Sequence, residues 1–176
     1  MKEHRENLCG TANKCRILIG AGALLVGTLV YLVDRHPQQT YFVSNSAVDI
    51  SFHHLLPNLF GPIGNSLPAF IHVFSFILIT AGLMACRKKG FIVICLAWLL
   101  VDSAFELSQK YKSLAHIVPD WFAGIPLLEN SENYILHGTF DYFDMAGIVL
   151  GASVAFIVLV KTENMEKGWS HEKKKK

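Results

Sequence analysis

The amino-acid sequence predicts an all-α fold, a polytopic membrane protein built as a bundle of four transmembrane helices with interfacial segments on the extracytoplasmic side. Three observations lead there. Of 176 residues, 52% are hydrophobic and only 17% charged, with a mean hydropathy of +0.36, whereas a soluble domain carries about a quarter charged residues. Long uncharged runs alternate with short charged punctuation, which excludes a soluble globule, a coiled coil and a disordered tail. The length holds about four spans of roughly 20 residues each, so residues 1–176 read as one membrane domain without a separate soluble part.

The first span, about 16–34, is built on the uncharged run Ile17–Val33, entered from Lys14 and Arg16 and left at Asp34-Arg35. A basic stretch before an apolar one also opens a signal peptide. This run is long for that role and no small-x-small cleavage site follows it closely, so it reads as an uncleaved anchor. The second span, about 67–86, stops at Arg87-Lys88-Lys89. The third, about 91–109, contains Asp102 and Glu106. The fourth, about 142–160, holds Asp144 in its first turns and leads into a cytoplasmic tail, 161–176. Helices are the expected form because only helices and closed barrels satisfy the backbone in lipid.

Lys and Arg between the spans set the orientation. Thirteen lie in the N-terminal stretch, the second turn and the C-terminal tail, against three (Arg35, Lys110 and Lys112) on the other side. Cytoplasmic loops carry the excess, so both termini are expected in the cytoplasm. The terminal lysines fit a retention charge or a patch for lipid headgroups. Residues 36–66 and 110–140 are too apolar for solvated loops, and Pro57, Gly61-Pro62, Pro119 and Pro126 break them. They are expected to form short helices and turns in the outer interface, a lid over the outer ends of the spans. Cys9, Cys15, Cys86 and Cys95 lie on or near the cytoplasmic side, where no disulfide framework is expected.

Ionisable residues inside a membrane are costly, so they face an interior or a water-filled cavity. Asp102 and Glu106 are four apart and Gln109 is three further on, which lines all three on one helix face. Asp141 and Asp144 share a face at the outer end of the fourth span, and His72 lies just inside the outer boundary of the second. At about 1.5 Å per residue, His72, Glu106 and Asp144 sit within roughly 6 to 8 Å of the outer surface. The pattern fits a polar cavity opening outward. Clustered carboxylates in low dielectric suit proton transfer, and three carboxylates with an imidazole also suit a divalent cation, with Glu106, Asp144 and His72 as ligands. The competing reading is that these groups hydrogen-bond one another and hold the helices together.

Other features are weaker. His53-His54 are adjacent and rarely aim at one ion, while His116 and His137 fall in the lid. Gly147-x-x-x-Gly151, followed by Ala152 and Ala155, is a small-residue face for close contact, with Ala23-x-x-x-Gly27 of the first span as its expected partner. There is no Walker motif, GxSxG or HExxH, and the basic residues lack aromatic interleaving, so nucleic acid is not an expected partner. Membrane lipids are, and a homo-oligomer or a larger membrane complex stays open as the assembled state.

The order His72-x-x-x-Phe76, Glu106-Leu-Ser-Gln109 and Gly138-Thr-Phe-Asp141-Tyr-Phe-Asp144, with Gly151 seven residues on, resembles the VanZ-like family of small polytopic bacterial envelope proteins. The resemblance covers about residues 67–158 and carries over His72, Glu106, Gln109, Asp144 and Gly151. The chain departs from the family where Ile148 replaces an Asn and Gly138 stands about where an Arg would be. The resemblance implies a bacterial inner-membrane protein acting at the envelope. Two function classes follow. In the first, an outward-facing acidic pocket binds or processes a lipid-linked or cell-wall-related ligand. Glu106 is then the acid/base or metal ligand, Asp144 and Asp141 its partners, His72 a proton carrier or ligand, and Asp102 and Gln109 substrate-binding groups. In the second, the chain is a non-enzymatic membrane subunit, small channel or defence-type effector whose acidic cluster conducts ions or only packs helices. Whether a reaction is catalysed is left open.

Overall fold

Every regular element among the described residues is helical, as apolar runs that must satisfy their own backbone require. The computed structural model describes residues 2–34, 59–125 and 131–172. The long helices are α1 (Lys2–Val33), α2 (Leu67–Leu83), α3 (Lys88–Lys110) and α5 (Tyr142–Glu172), with a short α4 (Ser131–His137). Single 3-10 turns cover Gly61–Asn65, Lys112–Ile117 and Asp120–Gly124. The part of the expected lid at 110–140 that is described therefore consists of short helices and turns. Most of its counterpart at 36–66, with His53-His54, lies outside the described residues.

Among the described residues, three helical stretches are long and apolar enough to cross a membrane: Asn13–Val33, Lys88–Lys110 and Tyr142–Met165. The fourth apolar helix, α2, has 17 residues and is shorter than these. It stops before the expected boundary at 86 because Met84 caps it and Ala85 turns into the left-handed region at φ 49°. The chain reverses within a few residues, and α3 starts at Lys88. At the other extreme, α5 continues through Glu172, so the expected tail begins as helix. Lys, Glu and Met there are good helix formers, and the Glu163–Lys167 ion pair spans one turn.

α2 packs against α1, α3 and α5, and α5 also touches α1 and α3. The two helices α2 and α5 thus form the middle, with α1 and α3 on either flank. The core between them is made by Ile77 and Leu78 of α2, Phe91 of α3, and Ala152, Ala155 and Leu159 of α5. The small-residue stripe of α5 brings it against the start of α2. A Cβ on Gly151 would lie 2.6 Å from the Phe70 carbonyl oxygen, and one on Gly147 3.1 Å from that of Ser66. The partner expected from sequence, Ala23-x-x-x-Gly27, does not meet this stripe; Gly27 faces Ile71 of α2 instead. Both stripes seat on α2 because α2 lies between their helices.

Contacts at the two ends fix the direction of each helix. Arg16 Nε donates to Thr162 Oγ1 at 2.9 Å, which joins the start of α1 to the late part of α5. At the opposite end, Asp34 accepts from the backbone N–H groups of Leu59 (2.8 Å) and Phe60 (2.9 Å). α2 runs back along α1 between these ends, with Gly82 against Asn13 and Ile17 and the turn before it, at Gly64, against Asp34. Arg16, which the sequence suggests is a flanking charge, is only 2% exposed. Its guanidinium is held by Asn13 Oδ1 at 3.0 Å and stacks over the Phe91 ring at 4.8 Å.

Candidate ligand site at the Asp34 end

The last turn of α3 and the first turn of α5 meet at the end of the molecule marked by Asp34. Glu106 of α3 is 7% exposed. Its Oε1 accepts from the backbone N–H of Asp141 at 2.8 Å, and its Oε2 accepts from Gln109 Nε2 at 3.3 Å. Asp141 in turn caps α5: its Oδ1 accepts from the N–H of Phe143 at 2.9 Å, the usual service of an Asp at a helix start. The carboxylates of Asp144 and Asp141 lie within electrostatic reach of Glu106. No basic side chain among the described residues forms an ion pair with Glu106. The nearest cation along the helix, Lys110, is turned to aromatic rings: Nζ donates to Tyr142 Oη at 3.3 Å and lies 5.1 Å from the Phe140 ring centre.

His72 does not join Glu106. Its Nδ1 lies 3.3 Å from Asp102 Oδ2, which ties α2 to α3. The imidazole packs edge-on against Phe76, with ring centres 4.4 Å apart. Just below, Trp98 stacks on Phe76 and donates through Nε1 to Thr80 Oγ1 at 3.1 Å. The six candidate residues therefore fall into two neighbouring groups, Glu106–Gln109–Asp141–Asp144 and His72–Asp102. The reason is helical geometry. Four residues advance by about 400°, an overshoot of roughly 40°, so Asp102 meets α2 while Glu106 has swung round to α5.

Among the described residues, no group of three or more His, Cys, Asp or Glu is placed to hold a metal ion. The ligand set His72, Glu106 and Asp144 expected for a divalent cation is therefore not assembled. His116 and His137 are exposed. Cys15, Cys86 and Cys95 are free thiols. Sequence reasoning missed two residues. Lys110 follows Gln109 directly, and its spacing of four from Glu106 was a usable signal. Asp34, an acid at the close of an apolar run, looked like punctuation and instead anchors the segment returning to α2. The chain matches no family model, no curated protein and no solved structure.

Proposed function

We propose that the chain is a VanZ-like integral membrane protein of the bacterial envelope, and that Glu106, Gln109, Asp141 and Asp144 bind the cationic group of a lipid-linked or cell-wall-related ligand. In this reading α2 is a fourth span, both termini lie in the cytoplasm and the Asp34 end faces outward across the inner membrane. The thirteen-to-three division of Lys and Arg supports that orientation, and the order of His72, Glu106-x-x-Gln109 and Asp144 supports the family. The observation that carries the site is a buried carboxylate with two more in reach and no basic partner among the described residues. Charge of one sign kept out of water favours an incoming cation, and a dry carboxylate is also suited to take a proton from it.

The test is native mass spectrometry of the full chain purified into nanodiscs made from bacterial inner-membrane lipids. Glu106→Gln keeps an oxygen that accepts from the Asp141 N–H but removes the charge. The wild type should retain an amine-bearing lipid-linked species that Glu106→Gln loses at least tenfold, with helix content unchanged. Equal retention by both would reject the site.

A second reading rests on the occupied oxygens of Glu106. With Oε1 on Asp141 and Oε2 on Gln109, the group is a clamp between α3 and α5 in a non-enzymatic membrane subunit. Glu106→Gln is then silent in every assay of function.

A further inference from the structure

The turn Lys112–Ile117 presents three unlike edges. It winds as a 3-10 helix, in which residues three apart lie one above the other. One edge carries Lys112 and Ala115; Ala115 is buried, and the turn packs on α4. The second carries Ser113 and His116, both polar and both exposed. The third carries Leu114 and Ile117, which are apolar and also exposed, Ile117 by 70%. Further on, Trp121 is 62% exposed, its ring edge-on to Phe122 with centres 4.5 Å apart. A lid over the ends of the spans would bury such side chains on the bundle. Here they remain open.

We propose that residues 111–121 are a membrane-surface anchor, with Leu114, Ile117 and Trp121 seated among the headgroups and upper acyl chains of the leaflet where α3 ends. The position of the segment points to lipid. α3 is long and apolar enough to cross a membrane, and Tyr111 follows its last residue, with its N–H donating to the Leu107 carbonyl at 3.3 Å. The segment therefore starts at the depth where a spanning helix leaves hydrocarbon. The order of the edges points the same way. An apolar edge beside a polar one on a single short turn fits the boundary between hydrocarbon and water, where Trp and Tyr also collect. Lys112 adds a cation whose stem lies along apolar surface while its ammonium reaches the lipid phosphates. The anchor requires α3 to cross the membrane and is independent of any ligand at Glu106.

Spin labelling of the full chain in vesicles of phosphatidylethanolamine and phosphatidylglycerol tests this. Ser113→Cys, Leu114→Cys, His116→Cys and Ile117→Cys are made singly in a chain with its native cysteines replaced. All four positions are exposed, so the label displaces no packed side chain. Each nitroxide is read for collisions with oxygen, which concentrates in lipid, and with a water-soluble nickel chelate. The ratio of oxygen to nickel collisions should be severalfold higher at positions 114 and 117 than at 113 and 116, and Trp121→Cys should read with the first pair. A ratio that does not alternate in this way would overturn the proposal. So would low collision rates with both reagents at 114 and 117, since protein rather than lipid would then cover that edge.

Discussion

Glu106 stands where two influences oppose its charge. It lies in the last turns of α3, where the helix dipole is negative, and the carboxylates of Asp144 and Asp141 lie within electrostatic reach of it. Among the described residues, the Asp141 N–H and Gln109 offset this. Glu106→Ala should therefore do more damage than Glu106→Gln. It strands the Asp141 N–H and should cost about 1 to 3 kcal/mol, read as a lower thermal midpoint in detergent, while Glu106→Gln should stay near wild type. Asp141→Asn keeps an acceptor for the Phe143 N–H and should be mild, whereas Asp141→Ala should cost about 1 kcal/mol through loss of the cap. At this scale the sequence singles out a small set of residues, since acids inside apolar runs are few. It was silent on their pairing. Spacing of four places Asp102 and Glu106 on one face, but the overshoot that sends one to α2 and the other to α5 depends on where the neighbouring helices stand.

At the scale of elements, the turn between α2 and α3 and the seat of α5 on α2 are the sharpest features. Ala85 holds φ 49°, a left-handed conformation that costs an L-residue about 1 to 2 kcal/mol and glycine almost nothing. Ala85→Gly is expected to hold or raise the thermal midpoint, and Ala85→Val to lower it. Gly151 is pressed against backbone, so a side chain there must move α5 or α2. Gly151→Val should cost about 1 to 3 kcal/mol, the usual range for overpacking. Gly147→Ala, with a longer gap of 3.1 Å, should cost less. The apolar stretches of the long helices were readable from their length and scarcity of charge, but not the charged ends by which α1 and α5 outrun them. The stop of α2 at Leu83 was not, because nothing in Met84-Ala85-Cys86 signals a turn. Nor was the partner of Gly147-x-x-x-Gly151, since a small-residue stripe announces a close approach without naming the helix that approaches.

At the scale of the whole molecule, everything proposed for Glu106 depends on which side of the membrane its end faces, and that depends on α2. Among the described residues, three stretches are long enough to cross on their own. Three crossings would leave the termini on opposite sides, and four return them to the same side. The path of α2 along α1 from the Asp34 end back to Asn13 favours four, as does the excess of Lys and Arg at the terminal end. The most direct test is labelling of single cysteines by a membrane-impermeant maleimide on intact cells, in a chain with its native cysteines replaced. One cysteine replaces Ser113, exposed just beyond the Glu106 end of α3, and the other replaces Ser170 near the C-terminus. The account predicts that position 113 labels on intact cells and position 170 only after permeabilisation. Labelling of position 170 from outside, or of position 113 only after permeabilisation, would contradict it.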